Sequence, residues 1–170
     1  MDVARGFVLC ALLAAACVSD LRSRRIPNRL VLVTAVAGVL FAIVGRGGLD
    51  GLTRAGGGFV TGLAIWFPFF VFGMLGAGDV KLFAASATFL GARAAVEGAL
   101  YTALYGGLLA ALFMITTSGW AATAFRIGFA AHQPMLLRQE TNPHGRRMPY
   151  ALAIAGGVLT AFWWPGHLLG

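Results

Sequence analysis

Six acids stand in the chain: Asp2, Asp20, Asp50, Asp79, Glu97 and Glu140. Asp79 lies in Gly76-Ala77-Gly78-Asp79-Val80-Lys81, between the apolar runs Phe69-Phe70-Val71-Phe72-Gly73-Met74-Leu75 and Leu82-Phe83-Ala84-Ala85. An ionisable group at the edge of hydrocarbon is costly and needs a partner or water, so a functional role is the first hypothesis. Gly76 and Gly78 give the backbone freedom there and let another segment come close. Asp20 closes the first apolar segment, ahead of the basic stretch Leu21-Arg22-Ser23-Arg24-Arg25-Ile26-Pro27-Asn28-Arg29. Two carboxyls close together in a partly dry site do not readily both ionise; one keeps its proton while the other stays a base. Such a pair can take a proton from water, polarise a carbonyl and protonate a leaving nitrogen, the steps that split an amide. Its titration belongs to the pair rather than to either residue. The competing reading is structural: Asp20 and Asp79 pair with Arg24 or Arg25 and Lys81 at helix ends, where an Asp at a helix N-terminus is favourable in its own right. Asp2, Asp50 and Glu140 fall in tails or loops, and Glu97 is expected at the interface. No Ser/His/Asp set is visible, because His132 and His144 lie in a polar connector and His167 at the far end. No metal-ligand spacing or CxxC pair occurs, so neither a metal nor another cofactor is expected.

The elements that hold these acids are read from composition. Of 170 residues, 59% are hydrophobic and 11% charged, where a soluble domain carries about 25% charged residues; mean hydropathy is +0.81. The chain is expected to be an all-α, polytopic membrane bundle forming a single domain over 1–170. With roughly 20 residues per span, about six transmembrane helices account for its length, at 7–19, 30–44, 55–75, 79–90, 94–117 and 148–168. Pro68 falls inside the third, a Gly-rich loop at 45–54 precedes it, and a longer polar connector spans 118–147. Within the connector, 120–137 mixes aromatics with Arg126 and could lie in the interface plane. The first segment is expected to be a retained helix, not a cleaved signal.

Basic residues set the orientation. With the N-terminus outside, the inner side holds Arg22, Arg24, Arg25, Arg29, Lys81, Arg126, Arg138, Arg146 and Arg147, against Arg5, Arg46, Arg54 and Arg93 outside. Nine against four predicts N-out and puts Asp20 and Asp79 at one cytoplasmic face. The net charge of +7 is scattered between apolar segments, which suits topology and anionic lipid of the bilayer and argues against nucleic acid. Cys10 and Cys17 share a helical face but lie too far apart along the axis for a disulfide, so both read as packing residues. Gly56-Gly57-Gly58, Gly106-Gly107 and Gly156-Gly157 read as close-packing positions between helices.

Three stretches carry a resemblance. Asp20-Leu21-Arg22-Ser23-Arg24-Arg25-Ile26-Pro27-Asn28 resembles the first active-site motif of type IV prepilin peptidases, an Asp and a short basic stretch followed by Ile-Pro-Asn. Gly76-Ala77-Gly78-Asp79-Val80-Lys81 resembles their Gly-x-Gly-Asp-x-Lys motif, and Met148-Pro149-Tyr150-Ala151-Leu152-Ala153-Ile154-Ala155-Gly156 is similar to the start of their last helix. A lone GxGD is weak, but three motifs in order and at the expected spacing are specific. The resemblance implies an aspartic endopeptidase of the bacterial inner membrane that cuts the leader from prepilin or pseudopilin substrates at the cytoplasmic face, commonly after a Gly. Asp20 and Asp79 match the catalytic aspartates. Gly76, Gly78, Lys81, Pro27 and Asn28 support the loops around them: the glycines for close approach, Lys81 as an anchor or an electrostatic neighbour, Pro27-Asn28 for loop geometry. The larger members carry a cysteine-rich zinc region and also methylate the new N-terminus. This chain shows no such region, and so looks like the compact type that serves Flp/Tad pili, with pilus assembly machinery as a possible partner. Other readings stay open: a small proton-coupled transporter using the acids as a relay, although no inverted repeat is evident; a non-catalytic pilus assembly protein; or another GxGD intramembrane protease.

Overall fold

The computed structural model describes residues 2–116, 150–166 and 168. The 118–147 connector, its amphipathic stretch, His132, His144, Met148, Pro149 and His167 lie outside the described residues. Among the described residues the chain is all helix: α1 (Asp2–Ser23), α2 (Asn28–Arg46), α3 (Gly48–Val71), α4 (Ala77–Leu90), α5 (Ala92–Thr116) and α6 (Ala151–Trp163). Four stretches are long and apolar enough to cross a membrane, Val3–Ser23, Asn28–Arg46, Gly48–Val71 and Ala92–Leu112, as expected for a helical membrane bundle. Met1–Gly106 with Pro149–Gly170 form one compact unit and Gly107–Met148 a second. Of the second, only the last turns of α5 are described.

The core is organised around α4. Every residue from Leu82 to Leu90 is buried, as is Val80. A helix that is apolar on all sides is one that neighbours enclose on all sides, and α4 packs against α1, α2, α3 and α6. Lipid tails are as apolar as leucine, so the attraction between helices comes from close packing, and small residues permit it. Gly38 of α2 lies against Thr88, and Gly58 of α3 lies against the Ala87 carbonyl so closely that a Cβ would collide with it. At Gly62 a Cβ would come within 3.1 Å of both Ala87 and Phe83. The buried hydroxyls of α4 are satisfied within the helix, Ser86 donating to the Leu82 carbonyl at 2.9 Å and Thr88 to Ala85 at 2.6 Å. The faces turned outward are apolar stripes at four-residue spacing: Leu32, Val36, Leu40 and Val44 on α2, and Leu100, Leu104, Leu108 and Leu112 on α5.

Three boundaries depart from the sequence reading. Helix α1 runs to Ser23, placing Asp20 inside the helix and not after it. The loop expected at 45–54 is mostly helix: Gly47 alone separates α2 from α3, which pack at once because Gly51 seats on the Ala42 carbonyl. The third segment, expected to reach residue 75, stops at Val71. There Gly73 has φ 73°, its N–H donates to the Phe70 carbonyl at 2.9 Å, and the Met74 N–H donates to Phe69 at 2.8 Å. This is a Schellman stop, which needs a left-handed residue just past the helix and so favours glycine.

Candidate active site

Asp20 stands near the C-terminal end of α1, half-buried. The chain reverses immediately after it. Arg24 takes φ 50° and its N–H donates to the Asp20 carbonyl at 2.8 Å, the αL way of ending a helix. Two serines fasten the reversal. The Ser19 hydroxyl donates to the Arg25 carbonyl at 2.9 Å, and the Ser23 hydroxyl reaches the Ser19 carbonyl at 2.8 Å and the Arg25 carbonyl at 3.3 Å. Ile26 is thereby carried inward over α4. Pro27 then occupies the N-cap of α2 with φ −63° and ψ 133°, and its carbonyl accepts the Leu30 and Val31 N–H groups. Asn28 is the first helical residue and makes no side-chain cap.

Asp79 stands in the first turn of α4, also half-buried. The Schellman stop at Gly73 leaves only Met74 and Leu75 before Gly76, the N-cap of α4. Three residues on, the Asp79 carboxyl turns back and accepts the Gly76 N–H, one half of a capping box. Gly76 has φ −75° and ψ 146°, a conformation open to any residue. The backbone freedom expected of this glycine is therefore not used. What matters is its missing Cβ, which would sit 3.0 Å from Asp79 Oδ2. Gly78 is less constrained: a Cβ there would meet Ile26 Cβ at 3.5 Å, an ordinary contact. The approach expected at the glycines is thus made by the loop after α1, through Ile26.

Helix α6 completes the site. The Ala151 N–H, an orphan donor at the helix N-terminus, donates to Asp20 Oδ2 at 3.3 Å. One turn earlier on α1, the Cys17 thiol donates to the Ala151 carbonyl at 3.5 Å, so α1 holds both backbone polar groups of Ala151. Tyr150 caps α6; its ring meets Trp66 of α3 edge-on at 6.2 Å and presses on Gly106 of α5. The Asp79 carboxyl acts electrostatically on the Tyr150 phenol, and Asp20 acts on Asp79. The structure therefore brings Asp20, Asp79, Gly76, Gly78, Tyr150 and the Ala151 N–H to one end of the bundle. Arg24, Arg25 and Lys81 are exposed, and among the described residues the two acids are held by backbone N–H groups, not by these cations. Tyr150 and Ala151 are the members without a role in the sequence reading. Their signal was the Pro-Tyr-Ala start of the third motif, but only the fold shows that it abuts the first two.

Each acid is anchored at a helix N-terminus, Asp79 on α4 and Asp20 on α6, where a negative charge is favourable. An acid pair within electrostatic reach, open on one side and fixed on the other, has the parts to pass a proton between water and an amide.

The sequence model of the type IV leader peptidase family matches residues 7–115. The matched stretch contains both Asp20 and Asp79 and ends before Tyr150 and Ala151. No curated protein and no solved structure matches the chain.

Proposed function

The chain belongs to the type IV leader peptidase family, and on that premise we propose that it is an aspartic endopeptidase that removes the leader from prepilin-like proteins of the Flp/Tad type. The observation that carries this reading is the arrival of Asp20 and Asp79, from separate helices, within electrostatic reach at one bundle end. One carboxylate takes a proton from water as the oxygen attacks the scissile carbonyl carbon. The other, protonated, hydrogen-bonds the carbonyl oxygen and then protonates the departing nitrogen as the C–N bond breaks. The pair ends with the single proton it began with. The substrate is a short basic leader followed by an apolar helix that docks from the bilayer. The enzyme lies N-out in the bacterial inner membrane, which places the acid pair at the cytoplasmic face, where such leaders begin.

Co-expression with a prepilin tests this. Asp20→Asn and Asp79→Asn should each leave the leader uncleaved on a gel, while the wild-type chain releases it; loss of a general acid or base costs roughly 10²–10⁴-fold in rate. Full processing by either variant would reduce that Asp to its helix-capping role.

A further inference from the structure

A second polar site lies at the other end of α4. We propose that it binds the phosphoethanolamine headgroup of a phospholipid. A cavity of about 380 Å³ opens there, lined among others by Arg54 of α3, Gly91, Arg93 and Glu97 of α5, and Gly166. Its size is within the range of small-molecule sites. All of these residues belong to one compact unit. Measured along α4, the cavity is about 17 Å from Asp79, since Leu90 at the helix end lies 11 residues on at about 1.5 Å rise each.

Glu97 is the informative residue. It is expected at the interface, and within the protein it is 1% exposed. One carboxylate oxygen, Oε2, accepts the Gly166 N–H at 2.7 Å; the other, Oε1, is buried without a hydrogen-bond partner. A buried carboxyl oxygen left unpaired is expensive, so the site suits a donor that arrives from elsewhere. Arg54, also in the lining, has the opposite need. Its Nη2 donates to the Leu90 carbonyl at 2.7 Å, closing the C-terminus of α4, while Nε is buried without an acceptor. The first turn of α5 also lines the cavity, through Ala92, Arg93 and Ala94, and helix N-termini favour anions.

The lining therefore offers Arg54 to an anion and Glu97 to an N–H-bearing cation. A phosphate joined through two carbons to a primary ammonium supplies both. Phosphate alone, or a headgroup with no cation, would leave Glu97 Oε1 facing negative charge, and a choline headgroup has no N–H to give. A lipid source follows from depth. Trp163 and Trp164, 50% and 61% exposed, immediately precede the Pro165-Gly166 edge of the cavity, and exposed tryptophans favour the headgroup level of a bilayer.

Native mass spectrometry of the full chain in detergent tests the assignment. The protein is offered phosphatidylethanolamine, phosphatidylcholine and phosphatidylglycerol with identical acyl chains in equal amounts. The ethanolamine lipid should be retained over each of the others by roughly ten-fold, the ratio one charge-assisted hydrogen bond supports. Glu97→Gln should abolish its advantage over phosphatidylglycerol, and Arg54→Gln should weaken retention of both. Equal retention of the three lipids by the wild-type chain overturns the proposal whether or not the variants fold, as does a preference that survives Glu97→Gln. Thermal stabilisation by soluble O-phosphoethanolamine but not by the lipid would assign the cavity to a free zwitterion and likewise overturn it.

Discussion

Asp79 owes its position to what Gly76 lacks. The carboxyl turns back onto its own helix N-terminus, and a methyl group on the N-cap would stand 3.0 Å from Oδ2. Gly76→Ala should therefore rotate the acid away from Asp20 and lower the rate of leader cleavage roughly ten- to hundred-fold, the scale of a 1 Å misplacement. Gly78→Ala adds its methyl at ordinary distance from Ile26 and should stay within a few-fold of wild type in the same assay. Sequence reasoning singled out both glycines but could not rank them, because the distinction depends on which way the Asp79 side chain folds. The two acids were legible as the ionisable residues that topology brings to one side. Their actual contacts, the Gly76 and Ala151 N–H groups, were not. The expected alternative was cation pairing, since a sequence displays Lys81 and Arg24 openly and hides the orphan donors of a helix end. The burial of Glu97 was hidden for a related reason: what holds it is the Gly166 backbone, 69 residues away.

At the scale of elements, glycine again decides distances. Gly58 meets the Ala87 carbonyl of α4, whereas Gly56, two residues earlier, has nothing within 4 Å of where a Cβ would be. Gly58→Ala should push α3 from α4 and lower the detergent melting temperature by an amount corresponding to about 1–3 kcal/mol of overpacking. Gly56→Ala should leave it unchanged or raised, because alanine favours the helix by up to about 1 kcal/mol over glycine. Helix existence was readable from apolar length, but helix ends were not. The stop at Gly73 depends on a left-handed residue whose neighbours, Met74 and Leu75, are as apolar as the helix before them. The reversal at Arg24 uses a residue that statistics assign elsewhere, secured by Ser19 and Ser23. These two turns deliver α1 and α4 to each other, and neither has a strong local signature.

Across the whole molecule, α4 links two polar ends, with the acid pair at its start and the Arg54–Glu97 cavity at its finish. The stripes exposed on α2 and α5 are apolar, as surfaces turned to lipid must be. In the proposed N-out orientation the acid end lies inside the cell. In a background with Cys10→Ala and Cys17→Ser, a cysteine at Arg46 should react with a membrane-impermeant maleimide added to intact cells, and one at Arg25 should react only after lysis. The reverse pattern would invert the topology and put the acid pair outside the cell. The central claim is that the two acids act as one unit on water and an amide. It is tested most directly by the rate of leader release from a purified prepilin by the reconstituted chain, comparing Asp20→Asn, Asp79→Asn and the double variant. Groups that share one step lose it together, so each single change should be as damaging as the pair, with all three near background. A single variant that keeps the wild-type rate, or a double variant far slower than two partly active singles, would contradict it.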